Sequence, residues 1–176
     1  MMVLNKEIEM KHLLVVGALS MLASGAFAFD AQVNIGGEVT TESCKINNST
    51  TEPVSINVPL SSINTSALPS VGSWAQNTKF VVSLTDCPGA VNVVWEKFAN
   101  VDASTGALIN TVSGGTNAQI RVLDRTFTPI NMNQDTGIQV TTTSADLPYY
   151  AQYYAKVTPV TPGKISTFGY ISLYYQ

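Results

Sequence analysis

Histidine is almost absent from this sequence: the one histidine, His12, lies beside an apolar stretch near the N terminus. Hydrolysis by a Ser-His-Asp or Cys-His arrangement needs a histidine next to the nucleophile. A paired-carboxylate glycosidase needs only acidic residues, but these are few and most fall where turns are expected, at Asp86, Asp102, Asp124, Asp135 and Asp146. Glycine-rich nucleotide-binding motifs are missing. The sequence therefore predicts no enzyme, no catalytic residue, no metal site and no cofactor.

Charge is also scarce, because only 12% of the residues are charged and the formal net charge is −3. Binding to a nucleic-acid backbone requires clustered lysine and arginine, so nucleic acid is not an expected partner. Helix-period segments of useful length are missing too. Thr, Ser, Asn, Val, Ile and Tyr are abundant instead, which is typical of strands and polar turns.

Long apolar runs are lacking, and the run Leu13–Leu22 is too short for a bilayer that needs about 20 residues. The stretch "MKHLLVVGALSMLASGAFA" has a basic start, this apolar run and a closing A-x-A pattern, as in secretory signals. We expect residues 1–28 to be a signal peptide, with translation from Met10 an option. Cleavage is expected after Ala28, with a cut after Gly25 as the alternative. The mature chain would then enter a compartment that permits disulfides.

Cysteine occurs only twice, at Cys44 and Cys87. A structural disulfide closing this loop would contribute roughly 4 kcal/mol in the chain-entropy account. The alternative is a reactive or metal-binding thiol pair, which needs neighbouring ligands or a C-x-x-C motif. Neither is present, so the pair is predicted to be a structural disulfide.

Short alternating segments are what the mature chain does contain: "VNIGGEV", "KFVVSLTDC", "AVNVVWEKF", "AQIRVLD", "YYAQYYAKV" and "KISTFGYISLYYQ". Segments rich in Gly, Pro, Asn, Asp and Ser separate them. This spacing predicts an antiparallel β-sandwich with one domain. A single helical turn is conceivable at "SSINTSAL". Trp74, Trp95 and Phe80 are expected to fill the core.

In this order, these motifs resemble structural pilins of the chaperone–usher pathway, in particular the type 1 fimbrial major-subunit family. "VNIGGEVTTESC" is similar to the first strand and first cysteine, "FVVSLTDC" to the strand with the second cysteine, and "TNAQIRVLDRT" to a central strand. "YYAQYYAKVTPVTPG" and the final Tyr-Tyr-Gln resemble the family's close. The resemblance implies an incomplete immunoglobulin-like β-sandwich (the pilin fold), residues 37–176. It lacks its last strand and is completed by donor-strand exchange.

The resemblance also implies which residues act. A last strand from Ile165 to Tyr175 would border a groove that receives a chaperone strand first and then a neighbour's N-terminal strand. The groove residues would be Gly163, Ile165, Ile171, Leu173 and Tyr175. The alternatives are that Ile171 and Leu173 are ordinary core and that Gly163 is only a turn glycine.

The donor strand is expected within residues 29–36, with Ala31, Val33 and Ile35 pointing into a neighbour's groove. Family pilins usually have a longer segment here and a glycine in place of Ala31. An earlier signal cut, a short donor, or an unusual position in the fibre would each account for this. Val33 and Ile35 could instead belong to the subunit's own first strand.

The predicted function is a structural subunit of a bacterial surface fimbria that supports cell adhesion. Its partners would be a periplasmic chaperone, an outer-membrane usher and other pilin copies, with a host glycan receptor involved only indirectly. It would be exported through the periplasm to the cell surface. The alternatives are a minor or tip-adaptor pilin and a secreted lectin-like sandwich. For the cluster Tyr149, Tyr150, Tyr153 and Tyr154, packing is favoured over sugar binding.

Overall fold

The computed structural model describes residues 43–49 and 51–176, which form two antiparallel β-sheets. One sheet has the strand order β1-β2-β7-β5-β4, and the other has the order β6-β3-β8. The strands are β1 (Lys45–Ile46), β2 (Trp74–Thr85), β3 (Val91–Trp95), β4 (Leu108–Ile109), β5 (Gln119–Leu123), β6 (Ile138–Val140), β7 (Ala145–Tyr154) and β8 (Ile171–Tyr175). The predicted all-β sandwich is confirmed.

The core follows from strand alternation, since every second side chain of a strand points to the same face. The sequence predicted inward positions in "KFVVSLTDC", "AVNVVWEKF" and "AQIRVLD", and the structure buries them together. The buried apolar residues of these strands include Val82, Leu84, Val91, Val93, Trp95, Ile120 and Val122. Both sheets therefore contribute one face to a shared core.

Trp74 does not fill the core as predicted; 54% of its surface is exposed. Simple alternation would place it on the same face as Phe80. However, the register of β2 against β7 shifts between Ala75 and Asn77, and Gln76 adopts a left-handed φ of 58°. A bulge of this kind adds one residue to a strand and reverses the facing of everything before it. Trp74 is therefore turned to the outer face.

The side chains of Phe80, Trp95 and Tyr149 pack together in the core. The sequence predicted this position for Trp95 and Phe80. The Trp95 ring meets Tyr149 edge-on at 5.3 Å between centroids, and Phe80 lies 6.2 Å from Trp95. Burial raises the pKa of Tyr149 to about 12. Gly169 passes so close that a Cβ there would lie 3.0 Å from Trp95 Cζ3. The C-terminal segment thus lies directly against this aromatic cluster.

One turn of 3-10 helix, Thr65–Ala67, occupies the place where the sequence suggested a helical turn. The Asn64 side chain caps it by accepting a hydrogen bond from Ser66 N at 3.0 Å. In the described ranges, no helix is long and apolar enough to cross a bilayer.

Asp102 fixes the loop between β3 and β4. Burial by itself would raise the pKa of this carboxyl, but hydrogen bonds from Lys156, Ser104 and Gln119 hold the pKa well below its usual value. A second turn aspartate, Asp124, accepts hydrogen bonds from the backbone that follows it. Asp124 therefore has the local role that the sequence predicted for turn aspartates, whereas Asp102 adds long-range bonds to Gln119 and Lys156.

Candidate functional site

The C-terminal strand β8 lies at the edge of its sheet. It pairs only with β3 among the described strands, with Trp95 opposite Ile171 and Val91 opposite Tyr175. No strand in residues 43–49 or 51–176 pairs with its other side. An edge of this kind presents a row of N–H and C=O groups that can pair with another extended chain.

The five predicted groove residues lie along this C-terminal segment in three settings. Ile165, Ile171 and Leu173 are half-buried and pack against the core. Gly163 lies in the wall of a cavity that Ile165 also lines. Tyr175 is 40% exposed, and its hydroxyl accepts a hydrogen bond of 2.8 Å from the backbone N–H of Cys44. The described residues therefore cover the three isoleucine and leucine side chains only in part. The hydroxyl of the penultimate Tyr175 is hydrogen-bonded to the start of the sandwich.

The predicted strand from Ile165 to Tyr175 is too long, because only Ile171–Tyr175 is a strand. The preceding segment has no continuous ladder. It is held by separate main-chain hydrogen bonds, from Thr111 N to Ser166 O and from Thr116 N to Lys164 O, and by amide side chains. Asn110 Nδ2 donates to Lys164 O and Thr116 O, both at 2.8 Å. Its Oδ1 accepts from the N–H of Ser166 at 3.0 Å and from that of Val112. Asn117 binds Thr161 and Pro159 in the same way. Amide side chains thus add to the few main-chain hydrogen bonds that hold this segment.

Replacing Asn110 with alanine is expected to loosen this segment by about 2 kcal/mol, because its two hydrogen bonds to Lys164 O and Ser166 N–H, each of about 1 kcal/mol net, are lost. Lys164 is already exposed, and local opening frees the hydrogen-bonded backbone around it, so trypsin cleavage after Lys164 should be about 10- to 100-fold faster. Mass spectrometry of the fragments measures the rate. Asn57→Ala is the control, since Asn57 is exposed and its side chain makes no hydrogen bond to the described residues. Equal cleavage of the two variants would contradict the expectation.

A second extended segment, residues 54–60, was not recognised in the sequence. Its alternate residues Val54, Ile56, Val58 and Leu60 are half-buried, while the residues between them are exposed. Its backbone makes no hydrogen bond to the described main chain. The period-two pattern of "VSINVPL" indicates an extended segment, but Pro53 before it and Pro59 within it are typical of a loop. Residues 54–60 are therefore a second extended segment without a partner strand among the described residues, packed on the same core.

A cavity of about 520 Å³ connects the two segments. Leu60 and Ile63 line one side, and Val160, Gly163 and Ile165 line another. Part of the cavity lining is apolar, and the cavity is large enough to hold side chains of an added strand. In the described part of the chain, no group of three His, Cys, Asp or Glu could hold a metal ion. The arrangement suits binding of an extended segment.

The predicted disulfide between Cys44 and Cys87 is present, and both cysteines are buried. The predicted donor residues Ala31, Val33 and Ile35 lie outside the described residues. Their role stays a prediction.

The tyrosine cluster of β7 is occupied by protein contacts. Tyr149 and Tyr153 are buried in the core. On the outer face, Phe127 stacks on Tyr150 at 4.4 Å, and the Arg121 guanidinium lies 4.2 Å from the centre of the Tyr154 ring. Packing therefore accounts for all four rings, as the sequence favoured.

Known proteins resemble this chain over most of its length. The family described as Fimbrial protein matches residues 33–176. The major fimbrial subunit SMF-1 of Stenotrophomonas maltophilia is 34% identical over 155 residues, covering 81% of this chain and 90% of that protein. The F17 fimbrial protein of Escherichia coli is 32% identical over 176 residues, covering 91% and 96%.

Solved structures share the fold. An antigen and type I fimbria protein of Burkholderia pseudomallei has a TM-score of 0.56 at 25% identity, covering 77% of this chain and 91% of its own. The P pilus rod subunit PapA has a TM-score of 0.59 at 18% identity, covering 77% and 100%. The immunoglobulin-like fold expected from the sequence is thereby confirmed.

Proposed function

The chain belongs to the fimbrial protein family and is a structural subunit of a pilus, and from this premise we propose that it polymerises by donor-strand exchange. The observation that carries the proposal is the side of β8 with which no described strand pairs, next to the half-buried Ile171 and Leu173. An extended segment added here would gain main-chain hydrogen bonds and cover apolar side chains. The domain 37–176 would thus accept a strand from another molecule.

The energetics of such an addition are favourable. Each new backbone hydrogen bond contributes about 1 kcal/mol net. Apolar area removed from water contributes roughly 25 cal/mol per Å². The backbone of segment 54–60 makes no hydrogen bond to the main chain that the structure describes, so an inserted strand would have a second backbone to pair with. The cavity beside Leu60 and Ile165 would take one of its side chains.

The donor is residues 29–36 of the next subunit, with Ala31, Val33 and Ile35 at every second position. Alternation sends these three side chains to one face of an extended strand. Because the donor segment and the groove are different surfaces, the contact is head-to-tail and does not close on itself. Repetition then builds a filament.

Before assembly, a periplasmic chaperone would occupy the same groove by strand addition, and an outer-membrane usher would exchange it for the donor. Residues 1–28 would direct export and be removed. The names of the relatives, among them a major fimbrial subunit, support a repeating subunit of the fibre over a minor one. The fibre would stand on the cell surface.

The test uses the subunit–chaperone complex and a synthetic peptide, FDAQVNIGG, that copies residues 29–37. We expect the peptide to displace the chaperone and give a complex that resists SDS, and a peptide with Asp at Val33 and Ile35 to fail. Leu173→Ser should slow uptake more than tenfold because it removes apolar contact in the groove. Tyr174→Ser, on the exposed face of the same strand, is the matched control.

A different result would refute the proposal. If the mature chain purified without any companion were a cooperative monomer that ignores the peptide, it would have no groove to fill. Equal uptake by Leu173→Ser and Tyr174→Ser would show that the peptide binds elsewhere.

A further inference from the structure

We propose that Phe98, Phe168 and Tyr170 form a contact surface for a second copy of this chain in the fibre, separate from the donor strand. We call these three residues the aromatic patch. The inference rests on the proposed polymerisation, and its own basis is the geometry of this patch.

The three rings of the aromatic patch contact one another yet remain open to solvent. Phe98 lies 4.8 Å from Tyr170 and 5.9 Å from Phe168, and Phe168 lies 5.5 Å from Tyr170, between ring centroids. Their exposed fractions are 46%, 44% and 48%. The other three-ring cluster among the described residues, around Trp95, is buried in the core. The aromatic patch is therefore an exposed apolar surface of the kind that marks a protein–protein contact.

The backbone under the patch is held in place. Asn100 Nδ2 donates to Phe168 O at 2.7 Å, and Glu96 N donates to Tyr170 O at 2.9 Å. Phe98 O accepts from Val101 N at 2.9 Å. A surface that is already ordered loses little conformational entropy when a partner binds. Aromatic side chains are also enriched in protein interfaces.

A second copy is the partner that the position of the patch favours. The segment with Phe168 and Tyr170 continues directly into β8, and the alternate residues Ile165 and Thr167 face the opposite, half-buried side. A donor strand on the edge of β8 that no described strand occupies would lie about 4.8 Å from the β8 backbone. Because Tyr170 directly precedes Ile171, the first residue of β8, this strand of the neighbouring subunit would run beside the segment that carries the patch. The surface is thus continuous with the proposed polymerisation contact.

The charges beside the patch do not oppose contact between identical chains. Glu96 and Lys97 are neighbours of opposite sign at its border. Glu96 also accepts a hydrogen bond from the Tyr174 hydroxyl at 2.7 Å. An identical copy therefore meets a surface without excess charge of one sign, and like-charge repulsion is small.

Hydroxyl-radical footprinting of the unaltered chain tests the contact. Oxidation of the patch residues is measured by mass spectrometry in assembled fibres and in the subunit complemented with the peptide FDAQVNIGG. Phe127, which is 53% exposed and stacks on one ring only, is the internal reference. We expect oxidation of Tyr170 relative to Phe127 to be at least tenfold slower in fibres.

A photo-crosslinking amino acid at position 170 identifies what covers the patch. We expect fibres to give a covalent subunit–subunit product that survives after the donor strands are released by heating in SDS. The Phe98→Ser, Phe168→Ser double variant should give at least tenfold less of this product. The same probe at position 127 is the control. Products with a glycan or another protein in place of a second copy would overturn the proposal.

The failures of the two proposals differ. If fibres that resist SDS never form, donor-strand exchange and this contact fail together. If such fibres form but Tyr170 oxidises as fast as in the peptide-complemented subunit, only the aromatic patch contact is refuted.

Discussion

Replacing Gly163 with valine is expected to lower the free energy of unfolding of the peptide-complemented subunit by about 4 kcal/mol or more, the range reached by severe backbone and packing conflicts. Gly163 has a φ of 154°, which side chains of L-residues rarely adopt. A Cβ at this position would lie 2.7 Å from Thr116 N and 2.8 Å from Gly115 C. Both are backbone atoms, so the segment itself must move away.

The movement would damage the groove as well as stability. Gly163 and Ile165 share the wall of the cavity that segment 54–60 borders. Displacing this wall changes the site where an added strand is proposed to bind, so the Gly163→Val chain should also yield little chaperone complex in the periplasm.

Gly89→Val is the matched control for this substitution. No heavy atom lies within 4 Å of a Cβ at Gly89, and its backbone φ is not left-handed. Urea unfolding of both variants measures the difference. A loss of unfolding free energy below about 1 kcal/mol for Gly163→Val would mean that Gly163 is only a turn glycine, which valine can replace.

Two of the strands that the sequence predicted, β3 and β5, have partners on both sides. β3 and β5 carry apolar residues at every second position, and their burial follows from that period alone. The disulfide was equally accessible, because a chain with only two cysteines offers a single intramolecular pairing. For these features, local pattern and global fold agree.

The features that the sequence missed depend on tertiary contacts. The facing of Trp74 depends on a bulge at Gln76, and no residue type there announces a left-handed φ. The alternation of residues 165–175 is real, but alternation does not reveal whether a backbone partner exists. The partners here are the Asn110 side chain and the main-chain N–H groups of Thr111 and Thr116, which lie about 50 residues away in the chain. Long-range contacts of this kind have no local signature.

Tyr175 links β8 to the residue that precedes β1 of the other sheet. Its hydroxyl accepts from Cys44 N, and Cys44 is bonded to Cys87 at the end of β2. The last strand is therefore fastened to the other sheet at the disulfide. Loss of the disulfide should thus affect the open edge of β8 and not only the loop that it closes.

Replacing both Cys44 and Cys87 with serine is expected to lower the free energy of unfolding by about 4 kcal/mol, the chain-entropy value for a loop of this length. The sequence separation of 43 residues sets that magnitude. Both positions are buried, so serine also places two hydroxyls in an apolar setting. Urea unfolding of the peptide-complemented subunit measures the loss.

The unaltered chain reduced with dithiothreitol, which lacks the bond but keeps the sulfur atoms, should lose nearly as much. If the double variant lost less than 1 kcal/mol, the bond would not hold the sandwich together, and peptide uptake at β8 should then proceed unchanged. We expect instead that uptake slows, because Cys44 no longer fixes the backbone N–H that binds Tyr175.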